Sequence, residues 1–239
     1  EDMPAKPDRG NQPVERAGWG LSYDYHASYH EEETMTFSAT GIIKTADGRE
    51  INFNLELAMH REYSESTDIS IRAGDAKLVD PLVINFAGAA AELTDTPFSF
   101  DIDNDGDNEE MARLGSGSGF LALDHNKDGV INGGSELFGP ESGDGFAELA
   151  RYDSDNNGWL DENDPVFKDL RLWIMGEGGG SYLETLASRG IGALLLNSAD
   201  TQFRLADSNN GTLGQIRESS IFIRENGSAG TIQEVDLAV

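Results

Sequence analysis

The sequence predicts an α+β fold that is mainly β at both ends of the chain and has a helical insert at its centre. Runs that alternate apolar and polar residues, or are rich in apolar residues, occur towards both ends and are typical of strands. Apolar residues at helical spacing occur only in the middle, at 145–152, 166–175 and 183–188. The predicted strands are residues 34–45, 50–63, 69–72, 82–86, 98–102, 120–124, 193–197, 203–206, 219–225 and 231–237.

Composition divides the chain into three regions. Residues 1–18 carry three prolines among charged residues and glycines, and we expect a disordered tail there. Residues 19–75 are predicted to form an N-terminal β-hairpin region, because Asp47-Gly48 lies between two alternating runs and is typical of a tight hairpin turn. Residues 76–239 contain all the helical patterns and are predicted to form one α+β domain.

The charge of the chain excludes several classes of partner. Lysine and arginine number 17 and aspartate and glutamate number 44, which gives a net charge of −27. Such a field repels nucleic acid and attracts cations. The absence of cysteine excludes disulfides and thiolate metal sites. No run of about 18 apolar residues is present, so we expect no membrane span. Nothing in the sequence indicates a protein partner.

Loop 3, residues 153–164, matches the calcium-binding loop of EF-hands. Calcium binds six to eight oxygens, and this loop type supplies them from alternate positions around a glycine at position six. Here Gly158 is at position six, and the final carboxylate is aspartate rather than the usual glutamate. The helical patterns on both sides strengthen the match. The predicted ligands are Asp153, Asp155, Asn157, the Trp159 carbonyl, Asp161 and Asp164.

Loop 2, residues 124–136, has the same order of oxygens, but its last carboxylate comes one position late. Either the chain bulges at Gly133-Gly134 and brings Glu136 to the ion, or a water molecule takes that position. A predicted strand, rather than a helix, precedes this loop. The predicted ligands are Asp124, Asn126, Asp128, the Val130 carbonyl, Asn132 and Glu136.

Loop 1, residues 101–109, has the pattern D-x-D-x-D-G-x-x-E and resembles the shorter calcium loops that connect strands. A solvated turn would explain any single acidic run, but three such runs within 64 residues favour metal binding. We therefore expect two to three bound Ca²⁺ ions, a calcium-binding domain over 76–239 and a central insert of the EF-hand type. The predicted ligands of loop 1 are Asp101, Asp103, Asp105, the Asp107 carbonyl and Glu109.

Two strings in this region resemble a known family. They are LALDHNKDGVINGGSELFG and the following GFAELARYDSDNNGWLDENDPVFKDLRLW. They resemble the EF-hand-containing region of bacterial RTX-type secreted proteins and of uncharacterised bacterial relatives, and the resemblance covers roughly residues 79–239. It implies a bacterial protein that is secreted or at the cell surface and that folds in a calcium-dependent way.

The dipeptide Asp80-Pro81 offers a second interpretation. Some RTX-type proteins carry a self-processing module that, with calcium bound, breaks an Asp-Pro bond just before a short apolar strand. Asp80-Pro81 and the following LVINF resemble that junction. The chemistry is plausible because an aspartate side chain can attack its own carbonyl while the tertiary amide of proline leaves readily. An ordinary turn that opens a strand would explain the same two residues.

The first functional hypothesis is a non-enzymatic calcium-binding structural module that folds or stiffens when it binds Ca²⁺. The alternative is a Ca²⁺-triggered autoproteolytic module that cleaves the Asp80-Pro81 bond. No nucleophile elbow, P-loop or dinucleotide-binding motif is present, so the sequence assigns no other enzyme class. His26 and His30 are spaced for zinc on a helix, but the neighbouring tyrosines favour an extended segment.

Overall fold

The computed structural model describes residues 21–44, 50–73, 78–176, 179–209 and 211–238. Within these ranges the chain is mostly β-strand. One α-helix, α1, and three short 3₁₀ turns, at Gly134–Glu136, Phe167–Asp169 and Leu186–Arg189, are present in the described part. The helix is Gly145–Ala150, and the strands are β1 Leu21–Lys44, β2 Glu50–Ala73, β3 Leu78–Val79, β4 Leu82–Asn85, β5 Leu93–Phe100, β6 Glu109–Leu114, β7 Ser118–Leu123, β8 Trp159–Asp161, β9 Leu170–Met175, β10 Ser181–Thr185, β11 Ile191–Leu195, β12 Ala199–Ala206, β13 Thr212–Arg224 and β14 Ala229–Ala238.

A ten-stranded sheet forms the centre of the molecule. Its strand order is β10-β9-β7-β4-β14-β13-β11-β8, with β12 beside β13 and β3 beside β14. Every strand pair in it is antiparallel. Two further sheets are the two-stranded pairs β1-β2 and β5-β6. The middle of the chain therefore contributes strands to the same sheet as its C-terminal end.

Both faces of this sheet are buried. In β4, Val83 packs into one apolar cluster while its neighbours Leu82 and Ile84 pack into another, because successive side chains of a strand point to opposite faces. The β5-β6 pair covers the first face, where Phe100 and Met111 are buried. Helix α1 and the segments around it cover the second face.

Two long strands pair in the region of the predicted N-terminal hairpin. Strands β1 and β2 pair in a continuous antiparallel register from Leu21↔Ala73 to Lys44↔Glu50. Leu57 of β2 joins the first apolar cluster. The predicted tail 1–18 and the Asp47-Gly48 turn lie outside the described residues, as do the side chains of His26 and His30.

The α+β class with a central helical insert is wrong. Of the three predicted helices only the first is present, as α1 over Gly145–Ala150. Residues 166–175 form a 3₁₀ turn and then strand β9, and 183–188 span the end of strand β10 and another 3₁₀ turn. No helix in the described part of the chain is long and apolar enough to cross a membrane.

The position of β9 in the sheet explains this error. The strand lies inside the sheet, between β7 and β10, and apolar clusters cover both of its faces. Leu172 and Ile174 face one apolar cluster, while Trp173 and Met175 face the other. A strand buried on both faces is apolar along its whole length, and periodicity alone does not distinguish such a short run from a buried helix.

Candidate functional site: three acidic loops and the Asp-Pro junction

The three acidic loops share one backbone conformation. In each loop the fourth and the sixth residue have a positive φ angle, a region that side-chain-bearing residues rarely adopt. Glycine occupies the sixth position every time, as the sharp turn of a calcium loop requires. The fourth residues are Asn104, Lys127 and Asn156, with φ of 59°, 60° and 56°, and the sixth are Gly106, Gly129 and Gly158, with φ of 97°, 83° and 83°.

The first aspartate of each loop organises the turn. One of its carboxylate oxygens accepts a hydrogen bond from the backbone N–H of the glycine at position six. This hydrogen bond fixes the direction of the aspartate side chain, which points into the loop. The N···O distances are 3.2 Å for Gly106 to Asp101, 2.9 Å for Gly129 to Asp124 and 2.9 Å for Gly158 to Asp153.

The last carboxylate closes each loop in the same way, although its position in the sequence differs. It accepts a hydrogen bond from the backbone N–H of the second loop residue. These bonds are Ile102 to Glu109 at 3.1 Å, His125 to Glu136 at 3.2 Å and Ser154 to Asp164 at 2.7 Å.

In loop 2 the chain bulges before its last carboxylate. The 3₁₀ turn Gly134–Glu136 turns the Glu136 side chain back over the loop, where Oε2 also accepts from Asn132 N at 2.8 Å. Asp164 makes the matching bond to Asp161 N in loop 3, at 3.1 Å. Glu136 and Asp164 are 5% and 1% exposed. Carboxylates this deeply buried need backbone donors or a cation around them.

Two of the loops bring carboxylate oxygens together. Those of Asp101, Asp103 and Glu109 lie within 4.8 Å of one another, and so do those of Asp153, Asp155 and Asp164. In loop 2 the Asn126 amide instead donates to Asp128 at 3.1 Å and to Asn132 at 2.8 Å. Loops 1 and 3 thus bring more negative charge together than loop 2 does.

The remaining predicted ligands lie around these groups. Asp105 accepts from Asp107 N at 2.9 Å, as Asp128 does from Val130 N at 2.8 Å and Asn157 from Trp159 N at 2.7 Å. Asp161 Oδ1 accepts a hydrogen bond from Asn163 N at 2.8 Å.

The donor set of loop 1 fits a cation. Asp101 Oδ1 is buried and has no hydrogen-bond partner among the described residues. A buried carboxylate oxygen without a donor is costly unless a positive charge neutralises it. In loop 3, loss of hydration, and after it the neighbouring carboxylates of Asp153 and Asp164, raise the pKa of Asp155. Both observations describe negative charge that a hard divalent cation would stabilise.

Loops 1 and 2 contact each other directly. Gly134 N donates to Asp101 O at 3.0 Å, and Ser135 N donates to Asn104 Oδ1 at 3.2 Å. A side chain at Gly134 would collide with the Ile102 carbonyl. The Gly133-Gly134 pair lies where Glu136 falls one position later than in the usual loop pattern. The same pair thus also allows the two loops to contact each other.

The Asp80-Pro81 peptide lies between β3 and β4 in a buried position. Asp80 is 7% exposed. The Pro81 carbonyl accepts from Val235 N at 3.2 Å, and Leu82 N donates to Phe138 O at 2.9 Å. The segment that follows loop 2 therefore covers the junction.

Charged side chains from β13 and β14 surround Asp80. Arg217 Nη1 donates to Asp80 Oδ2 at 2.7 Å, and Arg217 Nε lies 3.8 Å from Asp236 Oδ1. Glu234 Oε1 accepts from Gly145 N at 3.0 Å. Burial is the main cause that raises the pKa of both Glu234 and Asp236 to about 7. Three carboxyl groups thus share one arginine around a single peptide bond.

Sequence reasoning missed Arg217, Glu234 and Asp236. A signal was present, since Glu234 and Asp236 are two residues apart in a strongly predicted strand and therefore share one face. Acidic residues on a buried face of a central strand are rare without a partner. The partner, Arg217, could not be identified because strand order is not visible in the sequence.

Comparison with known proteins identifies the family. The chain is similar to the iron-regulated protein FrpA of Neisseria meningitidis serogroup C, with 26% identity over 180 residues. This match covers 70% of the chain but 16% of that much longer protein. The SPM domain model matches residues 82–238, well over half of the chain, and the chain therefore belongs to the SPM domain family.

Proposed function

We propose that this chain is a calcium-binding module of a secreted or surface bacterial protein, and that it folds or stiffens when Ca²⁺ binds. The repeated hydrogen-bond pattern of the three loops carries this proposal. Each loop holds its first and last carboxylate through backbone N–H groups of the loop itself. Glycine at position six and a left-handed residue at position four complete the pattern. Such preorganised oxygens are what calcium binding requires.

The energetic consequence follows from charge. Without a cation the converging carboxylates of loops 1 and 3 repel one another, and the net charge of −27 adds to this repulsion. An ion that binds only the native state raises its stability by about 2.7 kcal/mol per site when the free ion is at 100 times its Kd. Two to three such sites would make stability depend steeply on calcium.

Titration calorimetry with CaCl₂ tests this proposal. We expect two to three ions to bind the unaltered protein, and we expect Asp153→Ala and Asp124→Ala each to remove one. Glu162→Ala is the matched control, because Glu162 lies in loop 3, is exposed and is not a predicted ligand. An absence of binding at millimolar calcium, or equal binding by all variants, would contradict the proposal.

A second candidate function is calcium-dependent cleavage of the chain between Asp80 and Pro81. The observation that favours it is the burial of Asp80 beside Arg217 and Asp236. An ordinary strand-opening turn has no need of this charged and costly environment.

Incubation with millimolar calcium followed by a denaturing gel tests the second candidate. We expect two fragments that result from cleavage of the chain near residue 80. Asp80→Asn or a chelator should prevent their formation. A single intact band over days would leave only the first function.

A further inference from the structure

We propose that Asp236 donates the proton that the Pro81 nitrogen needs when the Asp80-Pro81 bond breaks, and that Arg217 holds the Asp80 carboxylate in place for the attack. This inference rests on the second candidate function. It assigns a catalytic role to Asp236 and a positioning role to Arg217, neither of which is a predicted metal ligand.

Strand register places Asp236 directly opposite Asp80. Strand β14 pairs with β3 at Leu237↔Val79 and with β4 at Glu234↔Leu82. These two pairs belong to one continuous antiparallel register, in which residue 236 is the partner of residue 80. Cross-strand partners on one face have Cβ atoms about 4.5–5.5 Å apart. Asp236 is therefore within side-chain reach of Asp80 and of the peptide bond that follows it.

A β-bulge brings the arginine to this pair. The register of β13 against β14 shifts between Ile216 and Glu218, so Arg217 is the extra residue. A bulge changes the direction of a side chain, and bulges are common next to active sites. From this position Arg217 contacts Asp80 Oδ2 at 2.7 Å and approaches Asp236 Oδ1 to 3.8 Å.

The free oxygens of the two aspartates define their roles. Asp80 Oδ1 and Asp236 Oδ1 are both buried, and neither has a hydrogen-bond donor in the described part of the chain. Arg217 contacts Asp80 Oδ2 at 2.7 Å and lies 3.8 Å from Asp236 Oδ1, so the two carboxyl groups lie close together. Two carboxyl groups at one site are more stable when one of them carries a proton. Arg217 donates its hydrogen bond to Asp80, and burial raises the pKa of Asp236 to about 7, so Asp236 is the group that holds the proton.

The reaction balances with these groups and one water molecule. Asp80 Oδ1 attacks the carbonyl carbon of its own residue, which forms a five-membered cyclic anhydride as the C–N bond to Pro81 breaks. The Pro81 nitrogen takes the proton from Asp236 and leaves as a neutral secondary amine. Asp236 becomes a carboxylate, so the total charge is unchanged. Water then opens the anhydride and regenerates the Asp80 side chain and a new C-terminal carboxyl group.

The surroundings of Asp236 favour its protonated form. Burial above all, and then the neighbouring carboxyl groups of Asp80 and Glu234, raise the pKa of Asp236 to about 7, against the opposing effect of Arg217. Glu218 also faces the cluster, through its interaction with Glu234. A general acid works best when its pKa lies close to the working pH.

The cleavage rate of Asp236→Asn in saturating calcium tests the inference. The amide keeps the shape of the side chain but has no acidic proton, so we expect cleavage to slow at least about 100-fold. Asp236→Glu should retain part of the rate. Asp200→Asn is the control, because Asp200 is exposed on β12, and it should cleave at the unaltered rate. Calcium binding measured by calorimetry should be the same for all four proteins.

The pH profile of the unaltered protein is an independent readout. Above about pH 7 the rate should fall by about tenfold per pH unit, because Asp236 loses its proton. An unaltered rate in Asp236→Asn, or a flat profile between pH 6 and 9, would overturn the role of Asp236 while self-cleavage would stand. Failure of the unaltered protein to cleave would overturn both.

Discussion

Replacement of Gly139 by alanine tests how the segment after loop 2 supports the Asp80-Pro81 junction. Gly139 has a φ of +114°, which only glycine adopts readily. A Cβ atom at this position would lie 1.9 Å from the Asp80 carbonyl oxygen. Because real Cβ atoms do not approach closer than 3.0 Å, the backbone would have to move by about 1 Å in the buried junction.

The expected cost is the sum of two effects. A side chain in a left-handed conformation costs about 1–2 kcal/mol, and a forced backbone shift in a packed region costs about 1–3 kcal/mol. We therefore expect Gly139→Ala to lower the free energy of unfolding by about 2–5 kcal/mol. Gly190→Ala is the matched control. Gly190 has a φ of +66°, and a Cβ atom added there would meet no heavy atom within 4 Å, so only the first cost applies.

Urea denaturation of both variants at one fixed calcium concentration measures the difference. With equal m-values, the midpoint of Gly139→Ala should lie clearly below that of Gly190→Ala. Equal midpoints would refute the reasoning, since they would mean that the Asp80 carbonyl moves away at no cost.

Three further predictions concern the loops and the carboxyl cluster. Asp164→Ala leaves the backbone N–H groups of Ser154 and Asp161 without their acceptor, and it should lower the free energy of unfolding by about 2–4 kcal/mol. The control Glu162→Ala, at an exposed residue, should change this free energy by less than about 0.5 kcal/mol. Equal urea midpoints for the two variants would contradict this prediction. The folded pKa of Glu234 is raised to about 7 from 4.5, so its share of the stability is fully present below pH 4.5 and is lost as the pH rises to 7. Glu234→Gln should therefore gain stability relative to the unaltered protein as the pH rises from 5 to 8. A difference in free energy of unfolding between the two proteins that stays constant over this range, as measured by denaturant titration, would contradict the pKa shift. Chelation of calcium should speed amide hydrogen exchange in the three loops more than in β13, and uniform exchange would argue against local calcium sites.

Local sequence patterns predicted the loops better than the elements around them. The turn conformation of loop 3 follows from bonds between residues at most five positions apart, such as Gly158 N to Asp153. The helix predicted at 166–175 is absent because strand β9 is apolar on both faces, and this follows from the apolar clusters that cover the two faces of the sheet there. An α-helix, α1, therefore precedes loop 3, but a 3₁₀ turn and strand β9 follow it.

The sequence by itself determined the three acidic loops, because glycine at position six and the aspartates around it select the turn through short-range sterics and hydrogen bonds. Only the tertiary structure decided what surrounds Asp80. Arg217 is 137 residues away in the chain, and it reaches Asp80 because β14 lies between β4 and β13 and because a bulge changes its direction. Strand order and register arise from burying both faces of the whole sheet, and no local pattern encodes them.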